Sequence, residues 1–162
     1  MPDANSSAGP GARLRALGLE LPSAPKPLGN YVEASQAGSL LFISGTLPIS
    51  KSKLTITGRL GDGITIEQGR EAARLAAMNA LAAVLEHVGD LDRIKKLAKL
   101  NIYLAATPQF TDHAAVADGA SDLFAQIFRK ERGHARMVSG VASLPKGTPV
   151  VVETIFELKG TV

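Results

Sequence analysis

The chain has 162 residues, 45% of them hydrophobic and 20% charged, with a formal net charge of +3 and no cysteine. That is enough for one domain with a real core, and it excludes disulfides, thiolate metal sites and cysteine nucleophiles, so a reducing cytoplasm suits it. Aromatic residues make up only 4% and tryptophan is absent, which argues against a site that stacks bases or flavins.

Residues 1–10 are rich in Ser, Ala, Gly and Pro and have little to bury, so they read as mobile. "ARLRALGLELP" reads as a short amphipathic helix ended by Gly18 and Pro22. "PSAPKPLGN" follows as an extended linker, because proline fixes φ and turns its predecessor away from helix. The division is therefore an N-terminal extension over 1–28 and a compact domain over 29–162. No basic leader precedes an apolar stretch, and no apolar run is long enough to span a bilayer. The expectation is a soluble cytoplasmic protein with no membrane partner.

Two strands, "YVEASQA" and "SLLFISG", flank Gly38 as a hairpin. In the second, Leu40, Phe42 and Ser44 share one face and Leu41 and Ile43 the other. "KLTITG" adds a third strand to a meander. Thr65 and Gln68 have capping-box spacing and open a helix that runs to Gly89, its alanines offering a smooth surface to a sheet. "IKKLAKLNIYLAA" is the fourth strand. Its basic residues alternate with apolar ones, the pattern of a solvated sheet face, and nucleic acid is an unlikely partner. "PQFTDHAAVADGASDLFAQIFRKERG" is the second domain helix, and "GHARMVSGVASLPKGTPVVVETIFEL" supplies two buried strands joined by a tight turn. The order β-β-β-α-β-α-β-β predicts an α+β fold with two helices on one face of a mixed, six-stranded sheet. Apolar residues on both strand faces, as in "LLFI" and "PVVVETIF", require something to cover the other face and predict an oligomer.

Three constellations carry chemistry. Period-two geometry puts His134, Arg136, Val138 and Gly140 on one strand face. A buried guanidinium needs an anion, supplied by Glu153 or Glu157 from the neighbouring strand or by a small carboxylate ligand. Ser44 and Gly45 end a hydrophobic strand where a ligand can approach the backbone, or simply where the chain turns before Pro48. His87, His113 and His134 show no metal-ligand spacing, so no metal is predicted.

"GNYVEA" with "LLFISGTLP", "AARLAAMNALAAVLEHVGDLDRIKKLAKLNIYL" and "ARMVSGVASLPKGTPVVVE" together resemble the RidA/YjgF family, formerly called endoribonuclease L-PSP or translation inhibitor. The resemblance covers about residues 29–158 and is greatest to the family's longer, poorly characterised branch. It implies a chorismate-mutase-like fold, a homotrimer with clefts between subunits, and cofactor-free hydrolysis of 2-imino or enamine acids to 2-keto acids. By the same resemblance Arg136 grips the substrate carboxylate, while Tyr31, Ser44 and Gly45 line the cleft. Where archetypal deaminases carry a water-orienting glutamate this chain has Val151, and Val138 replaces a usual cysteine. Glu153 and His134 are the candidates to substitute as catalytic acceptors. The alternatives are a non-catalytic binder of small carboxylates and, further off, an endoribonuclease.

Overall fold

The computed structural model describes residues 8–129 and 133–160. In chain order the described elements are α1 (Pro10–Ala16), β1 (Ala34–Ala37), β2 (Leu40–Thr46), β3 (Ile49–Ser50), β4 (Lys53–Leu54), β5 (Arg59–Leu60), β6 (Gly63–Ile64), α2 (Ile66–Val88), β7 (Ile94–Ala105), α3 (His113–Phe128), β8 (Ala135–Val141) and β9 (Val150–Leu158). The fold is α+β: five strands form one mixed sheet in the order β1-β2-β9-β7-β8, with only β7 and β8 parallel.

Helix α2 forms where its caps predict. The Thr65 side chain accepts from the Gln68 amide, the Gln68 side chain accepts from the Thr65 amide, and the helix ends at Gly89. Its alanines at 72, 73, 76, 77, 80 and 83 are buried against the sheet and α3. Small residues also let α2 and α3 lie close together: a β-carbon at Gly119 would run into the carbonyl oxygen of Arg70. Both helices cover one sheet face, whose core side chains are Leu41 and Ile43 of β2, Leu100, Ile102 and Leu104 of β7, and Val152 and Phe156 of β9. The rings of Phe124 and Phe128 pack on Phe156 at centroid distances of 6.0 and 5.7 Å. Helix α1 adds Leu14 to the same core and lies against α3.

Several elements differ from the sequence expectation. The third strand does not continue the meander, so the main sheet has five strands rather than six. Lys51 and Ser52 turn in the left-handed region (φ 49° and 63°), and Lys53–Leu54 pairs back on Ile49–Ser50 as a separate ladder. Helix α3 starts at His113, since Thr107 to Phe110 form a turn; the end expected for it includes residues 130–132, which lie outside the described residues. The expected mobility of the N-terminus concerns residues largely outside that range, but Pro10 is already buried at the first turn of α1.

The largest correction concerns the last two strands. They are not neighbours: β7 lies between them, parallel to β8 and antiparallel to β9. A twelve-residue strand can pair along both edges, and the Pro145–Gly147 turn carries the chain across it. Strand β8 is thereby a sheet edge and mostly exposed, not core. Glu153 and Glu157 cannot be the adjacent-strand partners of Arg136. Glu153 meets Asn101 and Tyr103 of β7, and Glu157 pairs with Lys95 and Lys96.

Candidate functional site

The residues singled out in the sequence fall into two groups within the protomer. Ser44 and Gly45 occupy a bulge in β2, where the register with β9 slips between Ile43 and Thr46. Bulges bend a strand and re-aim its side chains. Here Thr46 turns inward and its hydroxyl donates to the Ala76 carbonyl at 2.9 Å, tying the strand end to α2. Ser44 donates to the Val32 carbonyl at 2.7 Å, while its amide reaches the Glu33 carbonyl at 2.9 Å. Gly45 is dictated by a neighbour: a β-carbon there would stand 2.8 Å from Cγ1 of Val151.

Beside this bulge, on the sheet face away from the helices, β7 and β9 bring up a polar cluster. Val151 pairs with Tyr103 and Glu153 with Asn101. The Asn101 amide donates to Glu153 Oε2 at 2.9 Å, and the Tyr103 hydroxyl approaches the same oxygen at 3.4 Å. The Glu153 charge, with a smaller contribution from burial, raises the Tyr103 pKa above the usual phenol value. Tyr31 stands apart: it is 44% exposed, and its hydroxyl accepts from the Leu28 amide at 3.0 Å.

The second group lies on the helix face at the β8 edge. Arg136 reaches across to α3, where its Nη1 donates to Asp118 Oδ1 at 2.6 Å and to Ser121 Oγ at 3.1 Å. Its Nε and Nη2 have no partner among the described residues. His134, two residues earlier on the same face, places Nε2 3.0 Å from Ser121 Oγ. Burial first, and the Arg136 cation second, lower the His134 pKa below its ordinary value of 6.5, so the ring is neutral at neutral pH. Arg136, His134 and Ser121 line a cavity of about 390 Å³ together with Asp122, Arg129, Leu97, Phe124, Ala125 and Phe128.

Thus Arg136 and His134 come together, as do Ser44, Gly45 and Val151, but the two groups occupy opposite faces of the sheet. Asp118, Ser121, Asn101 and Tyr103 were not anticipated from sequence. Asp118 and Ser121 are three apart on one helix, a spacing that puts both on one face, yet it takes the packing of α3 on β8 to aim that face at Arg136.

Among the described residues no helix is long and apolar enough to cross a membrane. The family model described as "YjgF/chorismate_mutase-like, putative endoribonuclease" matches residues 11–158. Protein TCP17 of Trypanosoma cruzi is 42% identical over 91% of this chain and 92% of its own length. The 2-iminobutanoate/2-iminopropanoate deaminase of Dermatophagoides farinae is 30% identical over 87% of this chain and 95% of its own. A Shewanella oneidensis crystal structure superposes with a TM-score of 0.89 at 38% identity, covering 93% of this chain and all of the other. With the mixed sheet, the two helices over one face and the Arg136 strand in place, the chain belongs to the RidA/YjgF family.

Proposed function

We propose that the protein hydrolyses small 2-imino or enamine acids to 2-keto acids and ammonia in the cytoplasm, binding them in clefts between the protomers of a homotrimer, without a cofactor. The observation that carries this reading is the state of Arg136. Asp118 and Ser121 hold one guanidinium nitrogen, while Nε and Nη2 remain as a pair of donors beside a cavity. That pair matches the two oxygens of a carboxylate. The deaminase name of the Dermatophagoides relative supplies the chemical class.

With the carboxylate fixed, C2 of the protonated imine is held for attack by water. The water oxygen bonds to C2 and a proton passes to an acceptor, giving a carbinolamine. Return of that proton to nitrogen turns it into a leaving group; as the C2–N bond breaks and the carbonyl forms, the hydroxyl proton passes to the acceptor and ammonia departs. His134 is neutral and adjoins Arg136, so it is the acceptor available in the same protomer. Glu153 lies on the opposite sheet face and could serve only a cleft completed by another protomer, as could Tyr31, Ser44 and Gly45. The open sheet face supports such an assembly: Leu40, Phe42 and Met137 are 38%, 41% and 58% exposed on it. A solution mass near three times 16.9 kDa is expected, and a mass of one protomer would remove the cleft.

The direct test follows 2-aminoacrylate decay. Wild type should accelerate it and Arg136→Ala should not; spontaneous decay with both proteins refutes hydrolysis. One observation favours the second reading, a binder without turnover. Val151, which abuts the Ser44–Gly45 bulge, can neither hold a water nor pass a proton. Val151→Glu then discriminates, because a gain of imine hydrolysis in an otherwise inactive protein would reveal an intact pocket lacking only its acceptor.

A further inference from the structure

A second cavity, of about 500 Å³, shares no lining residue with the groups described above. The segment between α1 and β1 contributes residues 22–26 and Leu28 to it, the β3–β4 hairpin residues 49–52, and Asn79 and Lys146 complete it. Lys26, Lys51 and Lys146 give this lining three positive charges, and no aspartate or glutamate belongs to it. The side chain of none of the three makes an ion pair or hydrogen bond with a described residue. The three lysines are exposed, and exposed lysines are ordinary, but two further observations set these apart. Four described residues other than glycine have positive φ, and Lys51, Ser52 and Lys146, at 49°, 63° and 56°, are three of them. Lys51 and Ser52 form the two-residue turn of the hairpin, where a left-handed pair favours Asn-Gly. Left-handed backbone outside glycine costs free energy and gathers at ligand clamps. The other observation is Asn79, which is only 1% exposed. Its Nδ2 donates to the carbonyls of Leu47, Ile49 and Leu75 at 3.1, 2.9 and 3.1 Å, which fixes the amide and leaves Oδ1 without a partner among the described residues. A buried acceptor left unpaired is costly, and this one belongs to a residue that lines the cavity.

We infer that this cavity binds a small phosphate monoester that carries a hydroxyl group. Lysine ammonium groups act as point charges suited to phosphate, whereas planar carboxylate recognition favours arginine. A phosphate shared by Lys26, Lys51 and Lys146 replaces their mutual repulsion with attraction. The ligand hydroxyl donates to Asn79 Oδ1, the acceptor that the fold leaves open. An amide so deeply buried is within reach of a small molecule, while a nucleic-acid backbone would meet the lysines alone. The site is independent of Arg136 and of the reaction proposed there, and it gives the proline-rich segment before β1 a part in binding.

Calorimetric titration of the full-length protein with glycerol 3-phosphate, propyl phosphate and inorganic phosphate tests this. Propyl phosphate keeps the carbon chain and lacks the hydroxyls, so it should bind about fivefold more weakly than glycerol 3-phosphate, the worth of one hydrogen bond. Lys51→Gly and Lys146→Gln should each weaken glycerol 3-phosphate binding several-fold, while Lys99→Gln, which removes an equal charge outside the cavity, should leave it nearly unchanged. Lys51→Gly also relieves the left-handed turn, so its melting temperature should rise as its affinity falls. No binding of glycerol 3-phosphate at millimolar concentration, or binding undiminished in the Lys51→Gly/Lys146→Gln double variant, overturns the site. Equal affinities for the three phosphates overturn the ligand class and leave only a general attraction for anions. A single-stranded oligoribonucleotide that binds more tightly than glycerol 3-phosphate, and is lost in the double variant, would assign the lysines to nucleic acid and overturn the inference as well. Should the double variant fail to fold, the wild-type series decides alone.

Discussion

Nη1 of Arg136 lies 2.6 Å from Oδ1 of Asp118, so the cation at the sheet edge is held by a helix of its own protomer. Both side chains are partly exposed, at 26% and 46%, and such pairs contribute about 0–1 kcal/mol to stability. The pair matters more for direction than for stability, since it fixes one nitrogen of a side chain that lines the cavity and leaves the other donors without a partner among the described residues.

This gives Asp118→Asn a specific outcome. The amide oxygen can still accept from Nη1, but the negative charge that competes with an incoming anion is gone. Carboxylate binding should tighten several-fold at low ionic strength, and the gain should shrink in salt because the pair is open to solvent. The melting temperature should hardly move. Weaker binding in Asp118→Asn would show that the aspartate charge itself organises the site.

Gly45 and Val151 are coupled by contact. The β-carbon of Gly45→Ala would sit 2.8 Å from Val151 Cγ1, and Val151 is a stiff, β-branched side chain in a paired strand. Overpacking of this kind costs about 1–3 kcal/mol. In a Val151→Ala background the clash is absent, so Gly45→Ala should cost much less there. Denaturant unfolding of the four proteins in the cycle measures the coupling, and additive costs would mean that the bulge yields instead.

Glu33 is half-buried and its Oε2 has no partner among the described residues. Burial, then repulsion from Glu86, raises its pKa above the ordinary value. A carboxyl group whose pKa is raised by folding favours the native state while protonated, and that contribution is lost as pH rises through the folded-state pKa. Glu33→Gln removes the charge. Relief on the order of 1 kcal/mol, the scale of an unsatisfied buried polar group, would raise the melting temperature at pH 7 by about 2–4 °C. At a pH below the ordinary carboxyl range the two proteins should melt together, and a difference that persists there would point to packing.

The caps of α2 were legible because their signals are local: Thr65 and Gln68 act three residues apart at its start, and Gly89 acts on the Leu85 carbonyl at its end. The face alternation of β2 and β9 was legible for the same reason. Strand order was not, because the parallel pairing of β7 with β8 joins residues such as Leu100 and Arg136, and no local pattern records that β7 would intervene. The error over the partner of Arg136 follows from this. An anion was required by the guanidinium, as argued from sequence, but its source depended on which element packed against the β8 edge. Likewise Ser44 and Gly45 could be chosen as a strand end, but the bulge that sets them against Val151 exists only in the register between β2 and β9.

His134 couples the site to pH. In the native protein its ring is partly desolvated, faces the Arg136 cation and bonds Ser121, and Asp122 and Arg129 line the same cavity. Its pKa is lowered on folding, so the unfolded chain takes up the proton more readily. The resulting stability is present above the ordinary value of 6.5 and is lost as pH falls through the lowered native value. A His134→Gln protein should therefore lose less stability than wild type on acidification below pH 6.5. A carboxylate docked on Arg136 offsets the guanidinium charge and should raise the pKa of His134. In wild type, the His134 ring resonances followed by NMR should titrate below the ordinary histidine value when free and move upward when pyruvate or a larger 2-oxo acid is bound. An unchanged titration would mean that the anion binds away from Arg136, whatever its affinity.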